Sequence, residues 1–223
     1  MQEDFTRFAI YYTAHRTSLA EAGAAWLGWD IHKAAAAPLP EARENAVATP
    51  RKYGFHATIK PPFRLADGKS LAELRQSARA LCAAQARFEE SALEVSELGR
   101  FLALVPRAPD PWAQMAAALV AGLEAFRAPA SEAELAKRRK SGLNARQDAL
   151  LLRWGYPFVM EEFRFHMTLS GRLEADERAR MAQAAKEHFA APLAAVLPVA
   201  SLSLCAERPD GRFEWIEELP FLG

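Results

Sequence analysis

Residues 165–169 read Phe165-His166-Met167-Thr168-Leu169, and residues 55–59 read Phe55-His56-Ala57-Thr58-Ile59. In an extended chain successive side chains point to opposite faces. Phe55, Ala57 and Ile59 then share an apolar face, as do Phe165, Met167 and Leu169. Each opposite face carries a histidine and a threonine. A third His-x-Thr, His15-Arg16-Thr17, shows that the triplet alone does not discriminate. Its surroundings do not alternate. His15 follows Ala14 and stands just before a helix cap at Ser18, which reads as a strand-to-helix junction with a structural histidine. Two alternating copies, one in each half of the chain, are what set the expected architecture.

Residues 7–13 are aromatic and β-branched and read as a strand. Ser18 and Glu21 have capping-box spacing and open a helix to about Leu27. Residues 34–50 are rich in Ala and Pro and read as a loop or a short broken helix. Residues 53–59 read as a strand that Pro61-Pro62 stops. Ser70 and Glu73 cap a helix to about Arg87, with Leu71, Leu74, Ala78 and Leu81 at helical spacing. Strands near 93–98 and 100–105 flank Gly99, and Asp110-Pro111 opens a helix to about Arg127. Asn144 and Gln147 cap a helix that Gly155 and Pro157 end. A strand at 163–169, a helix at 175–190 and strands at 197–206 and 212–216 complete the chain. The turn Pro209-Asp210-Gly211 joins the last two. This order has no βαβ rhythm, so the expected class is α+β with antiparallel sheets.

The chain has 223 residues, 51% hydrophobic and 25% charged, an ordinary globular composition. Lys+Arg and Asp+Glu both number 28, giving zero net charge. That balance disfavours duplex nucleic acid as a partner, which needs a basic excess. It leaves room for a small phosphorylated ligand held by a few local donors. Cys82 and Cys205 lack metal-binding spacing and read as buried apolar side chains in a reducing compartment. The polar, acidic start of the chain is unlike a signal peptide, and no apolar run reaches the length of a membrane span. A cytoplasmic protein without a membrane partner is expected.

Two strands that each present an imidazole and a hydroxyl suit a phosphodiester. One neutral histidine can take a proton from water or a hydroxyl. The other can protonate a leaving alkoxide, while hydroxyls and cations hold the phosphoryl oxygens. Histidine fits both tasks because its pKa is near neutral. Lys60 follows on the polar face of His56 and is a candidate for neutralising phosphate. Tyr53, with Arg51 and Lys52, leads into the first motif and is a candidate for the cleft rim. Arg146 and Gln147 precede the helix that leads to the second motif, within reach of substrate. The basic run Lys137-Arg138-Arg139-Lys140 reads first as a solvated helix face, with a lid over an anionic substrate as the alternative. His32 and His188 have no motif context and read as structural or surface residues.

The paired motifs resemble the 2H phosphoesterase superfamily, which includes 2′,3′-cyclic nucleotide phosphodiesterases and bacterial RNA 2′-5′ ligase-like proteins. The approach segments, 51–63 and 154–169, look more closely like an uncharacterised branch encoded with bacterial phosphonate-degradation genes. The resemblance implies one bilobal domain over 1–223, with two pseudo-symmetric lobes, each an antiparallel sheet backed by helices, and a cleft between them. It implies that His56 and His166 are catalytic, that Thr58 and Thr168 bind phosphate, and that neither metal nor cofactor is required. The expected activity is that of a metal-independent phosphodiesterase for a small cyclic or linear ester. Its family context implies a substrate from phosphonate catabolism, such as a phosphorylated ribose cyclic phosphate. The rivals are an RNA 2′-5′ ligase or RNA-end cyclic phosphodiesterase, which keeps an RNA end among the partners, and a non-catalytic binder of a phosphorylated metabolite.

Overall fold

The computed structural model describes residues 5–90, 93–107 and 111–223. The elements run β1 (Phe8–Tyr12), α1 (Ser18–Leu27), β2 (Trp29–Asp30), β3 (Ala35–Ala36), α2 (Glu44–Val47), β4 (Ala57–Phe63), α3 (Leu71–Ala83), β5 (Phe88–Glu90), β6 (Leu93–Leu98) and β7 (Phe101–Pro106). They continue with α4 (Trp112–Gly122), α5 (Glu132–Arg139), α6 (Ala145–Trp154), β8 (Met167–Thr168), α7 (Ala175–Leu193), β9 (Leu197–Val199), β10 (Ser201–Glu207) and β11 (Phe213–Pro220). Seven strands form one sheet in the order β11-β10-β1-β4-β8-β7-β6. Every neighbouring pair is antiparallel.

The α+β class is as expected, with antiparallel halves backed by helices. Strands β11-β10-β1-β4 make one half and β8-β7-β6 the other. They join through a single registered pair, Ala57 with Met167. Strand β1 shows why the layers form. All five of its residues are buried. Phe8, Ile10 and Tyr12 enter a large core with Trp26 of α1, Leu74 of α3, Leu119 of α4 and Phe189 of α7. Ala9 and Tyr11 face the other way, against Trp29, Ile31, Cys205 and Phe213. Both cysteines are free and buried, as read from the sequence.

The capping boxes at Ser70/Glu73 and Asn144/Gln147 both form, and a third, Ser131/Glu134, opens α5. Helix α1 is capped one residue earlier than expected. Thr17 has an extended backbone and its side chain accepts from the Ala20 amide, which satisfies one of the helix's unpaired N–H groups. Pro111 is the N-cap residue of α4. Its partner in the expected Asp110-Pro111 signal lies outside the described residues, as do the first four residues of the N-terminus.

Two strand readings change. Strand β4 begins only at Ala57, after a 3-10 turn at Pro50–Lys52, and does not stop at Pro61-Pro62 but runs on to Phe63. Its register with β1 slips twice: Tyr11 faces Thr58, Ile10 faces Lys60 and Phe8 faces Phe63. The extra residues make bulges, where ladder bonds are interrupted and proline is tolerated. The second motif was read as a strand over 163–169, yet only Met167–Thr168 pairs. A 3-10 turn, Met160–Glu162, and irregular backbone precede it.

Candidate active site

The Ala57–Met167 pair sets the geometry. Antiparallel continuation of that register brings His56 across from Thr168 and Thr58 across from His166. Directly opposed residues lie about 5 Å apart and diagonal ones about 7–8 Å. The two histidines are therefore diagonal, and the two threonines complete a four-membered ring of polar groups. All four line one cleft of about 310 Å³, on the sheet face turned away from the large core.

The two histidines are held in the same way. His56 Nδ1 is 2.9 Å from the carbonyl oxygen of Gly54, and His166 Nδ1 is 2.8 Å from that of Arg164. A carbonyl can only accept, so each Nδ1 carries a proton and donates it. Each ring then turns its Nε2 toward the cleft. His56 Nε2 lies 3.2 Å from Thr58 Oγ1. Gly54 makes the first bond through a positive φ of 72°, at a point where a Cβ would sit 2.7 Å from Ile31 Cβ. Apolar anchors flank each imidazole, as the alternation predicted. Phe55 stacks on Phe189 at 5.8 Å and Phe165 stacks on Trp112 at 4.2 Å. Ala57 and Met167 are fully buried.

The histidines differ in their neighbours. Tyr11 stacks on His56 with ring centroids 3.8 Å apart. Burial pushes the His56 pKa down to about 4, the charge of a protonated His166 pushes the same way, and the Gly54 carbonyl opposes both. His56 is thus held neutral at ordinary pH. The carbonyl bond of His166 is exposed, and the nearest described ring is Phe101 at 6.0 Å. The Tyr11 hydroxyl is buried with no hydrogen-bond partner among the described residues.

The other three histidines are tied up elsewhere. His15 and His32 stack on each other at 4.5 Å, and His32 Nε2 is 2.9 Å from Thr13 Oγ1. His188 donates from Nε2 to the carbonyl of Ala22. Tyr53 lines the cleft as expected. Lys60 and Arg146 do not. The bulge at Ile59 turns Lys60 to the opposite side, because a one-residue slip exchanges the faces of a strand. Its ammonium donates to the carbonyl of Val120 at 3.0 Å and lies 3.5 Å from Glu124. Burial lowers its pKa to about 8, against the pull of Glu124. Arg146 is exposed on α6, 4.0 Å from Glu161, away from the cleft lining. Arg7, Arg138 and Tyr156 do line the cleft. Arg138 belongs to the basic run that reads first as a solvated helix face and only second as a lid, because nothing local distinguishes it from its neighbours.

The position of Lys60 yields an expectation. Lys60→Met keeps the side chain's length and apolar stem, and Glu124 keeps its pairing with Arg127. Replacing a buried charge by a well-fitting apolar group is often nearly neutral. We expect kcat/KM within about threefold of wild type and a stability change under about 2 kcal/mol. A hundredfold loss of activity in a folded Lys60→Met variant would return Lys60 to the site.

Among the described residues, no three of His, Cys, Asp or Glu come together as a metal site. Among the same residues, no helix is long and apolar enough to cross a membrane.

With this geometry in place, three comparisons bear on identity. The model of a family described as "Protein of unknown function (DUF1045)" matches residues 58–214, and the chain belongs to that family. The match takes in Thr58, His166 and Thr168. The chain is also similar to a "Ribose 1,5-bisphosphate phosphokinase PhnN" of Janthinobacterium sp. (strain Marseille), 42% identical over 99% of this chain and 52% of that protein. A protein of the same name from Laribacter hongkongensis (strain HLHK9) is 36% identical over 92% of this chain and 49% of its own length. The chain thus spans about half the length of the curated relatives it matches. A solved structure described as "Crystal structure of phosphoesterase" covers all of both chains at 15% identity with a TM-score of 0.42, a likeness too distant to carry an argument.

Proposed function

We propose that the chain is a phosphodiesterase that opens or cleaves a small cyclic or linear phosphodiester with His56 and His166 as proton carriers. One observation carries this reading. Two imidazoles, each with Nδ1 given to the carbonyl two residues upstream, turn Nε2 toward one cleft that also holds Thr58 and Thr168. His56, kept neutral by burial, takes a proton from the attacking water at Nε2. His166 then takes the part of the acid, giving a proton from Nε2 to the departing alkoxide. The threonine hydroxyls donate to the phosphoryl oxygens, where charge builds in the transition state.

The curated relatives are named for a phosphokinase acting with ribose 1,5-bisphosphate. That name supports a phosphorylated sugar as substrate class. It does not lead us to a kinase reading for this chain. The phosphate-binding loop of many kinases runs Gly-x-x-x-x-Gly-Lys-Ser/Thr. Here Gly68-Lys69-Ser70 has Phe63 in place of the first glycine. Ser70 is engaged in the α3 capping box, and the Lys69 ammonium lies 5.3 Å from the Phe126 ring.

The test is turnover of a panel of cyclic and linear phosphodiesters by wild type, with and without EDTA. Hydrolysis that persists in EDTA supports the reading. Tight binding without turnover across the panel would favour a binder instead. The pH profile assigns the roles. A base works only when unprotonated, so activity depending on neutral His56 is present above its pKa and lost as pH falls through about 4. The acid gives the opposing limb at higher pH. If His56 were instead the acid, kcat/KM would fall as pH rises from about 4.

A further inference from the structure

The cleft is larger than one phosphoryl group requires, and its far end is built differently from the His/Thr ring. Strand β4 leads there: Pro61 and Pro62 line the cleft beyond Thr58. Pro62 lies four residues on, roughly 10 Å along the strand once its bulges are allowed for. Around Pro62 and Phe63 gather Arg7, Arg64, Arg127 and Arg138. Three of these are paired: Arg7 with Glu207, Arg64 with Glu134 and Arg127 with Glu124. Arg138 differs. Among the described residues no carboxylate lies within ion-pair distance of it. Its guanidinium instead rests over the ring of Tyr156, 4.7 Å from the centroid. In the basic run, Lys137, Arg139 and Lys140 are exposed, and Arg139 is paired with Asp148. Arg138 alone of the four is half-buried and lines the cleft.

A stacked guanidinium is pre-oriented, and one without a carboxylate keeps its fork of donors for a ligand. The ring of two histidines and two threonines already supplies the donors for a reacting phosphodiester. From this we infer that Arg138, seated on Tyr156, forms a second anion subsite that receives a phosphomonoester carried by the same substrate. The substrate class is then a sugar phosphodiester bearing a further phosphate. This rests on the phosphodiesterase reading for the place of the first phosphate, and the test separates the two.

Calorimetry compares adenosine 3′-monophosphate with adenosine 3′,5′-bisphosphate, ligands that differ by one phosphate, on wild type, Arg138→Gln, Arg138→Lys and His56→Ala. Wild type is expected to bind the bisphosphate roughly ten- to a hundredfold more tightly. Arg138→Gln should lose that advantage while binding the monophosphate as wild type does, and Arg138→Lys should keep part of it. His56→Ala should keep the advantage, so the subsite is read even if the catalytic role of His56 fails. Equal binding of both ligands by wild type overturns the subsite. So does an equal loss of both ligands in a folded Arg138→Gln, which would assign Arg138 to the reacting phosphate. Where turnover is found, the matching result is a raised KM in Arg138→Gln for doubly phosphorylated cyclic esters only, with kcat little changed.

Discussion

Alanine at position 56 or at position 166 is expected to lower kcat by about 10²–10⁴-fold, with a smaller change in KM. Each histidine moves one proton in the same step, and no other cleft side chain replaces it. The Tyr11 phenol, stacked on His56, is pushed well above its ordinary pKa by burial and cannot serve as a base near neutrality. An arginine guanidinium has no accessible lone pair with which to take a proton. Because base and acid act together, the double variant should fall little further than the worse single one. Thr58→Ala and Thr168→Ala should cost less, since each removes a donor and leaves both proton carriers. Single-turnover rates on a substrate found in the panel measure all of this. Full activity in either folded histidine variant sinks the mechanism.

Glycine 23 is expected to be intolerant of even one methyl group. A Cβ at this point of α1 would lie 2.0 Å from Cγ of Phe55, inside the aromatic ring. Phe55 is 2% exposed and stacked on Phe189, so it has no free side to retreat to. Alanine in mid-helix normally gains up to about 1 kcal/mol over glycine. Overpacking of a filled core outweighs that gain. We expect Gly23→Ala to lose about 2–3 kcal/mol net, or roughly 5–10 °C in Tm for a domain of this size. The effect should reach the chemistry, because a displaced Phe55 drags the neighbouring His56. Denaturant unfolding gives the stability and kcat gives the displacement. A Gly23→Ala protein as stable as wild type would contradict the close approach of α1 to the first motif.

Much of this was legible in the chain. The alternation around His56 and His166 announced which side chains anchor and which face the cleft, since it needs only the period of a strand. The capping boxes at Ser70 and Asn144 are local, and they formed where the spacing put them. What could not be read depends on partners distant in sequence. The order β11-β10-β1-β4-β8-β7-β6 interleaves the two ends of the chain, and no short-range pattern encodes it. Lys60 was placed beside His56 by simple alternation, and the bulge against β1 reversed it. Arg138 looked like its three basic neighbours until Tyr156, distant in sequence, supplied the surface it stacks on. Of the two main-chain carbonyls that orient the imidazoles, that of Gly54 is marked by its glycine, and that of Arg164 leaves no mark in the side-chain sequence.

The bulge in β4 has a consequence beyond the misplacing of one lysine. It limits the polar stripe of that strand to His56 and Thr58, because Ile59 and Lys60 both turn into the core. The sheet therefore supplies a reaction floor of fixed extent, continued only by the apolar rings of Pro61 and Pro62. Whatever selects a substrate has to hang from separate walls: the turn that brings Tyr53, the helix that brings Arg138, the loop that brings Tyr156. Floor and walls come from different segments of chain and can be altered independently. Such a build lets one set of proton carriers be refitted to new esters by changing the walls alone.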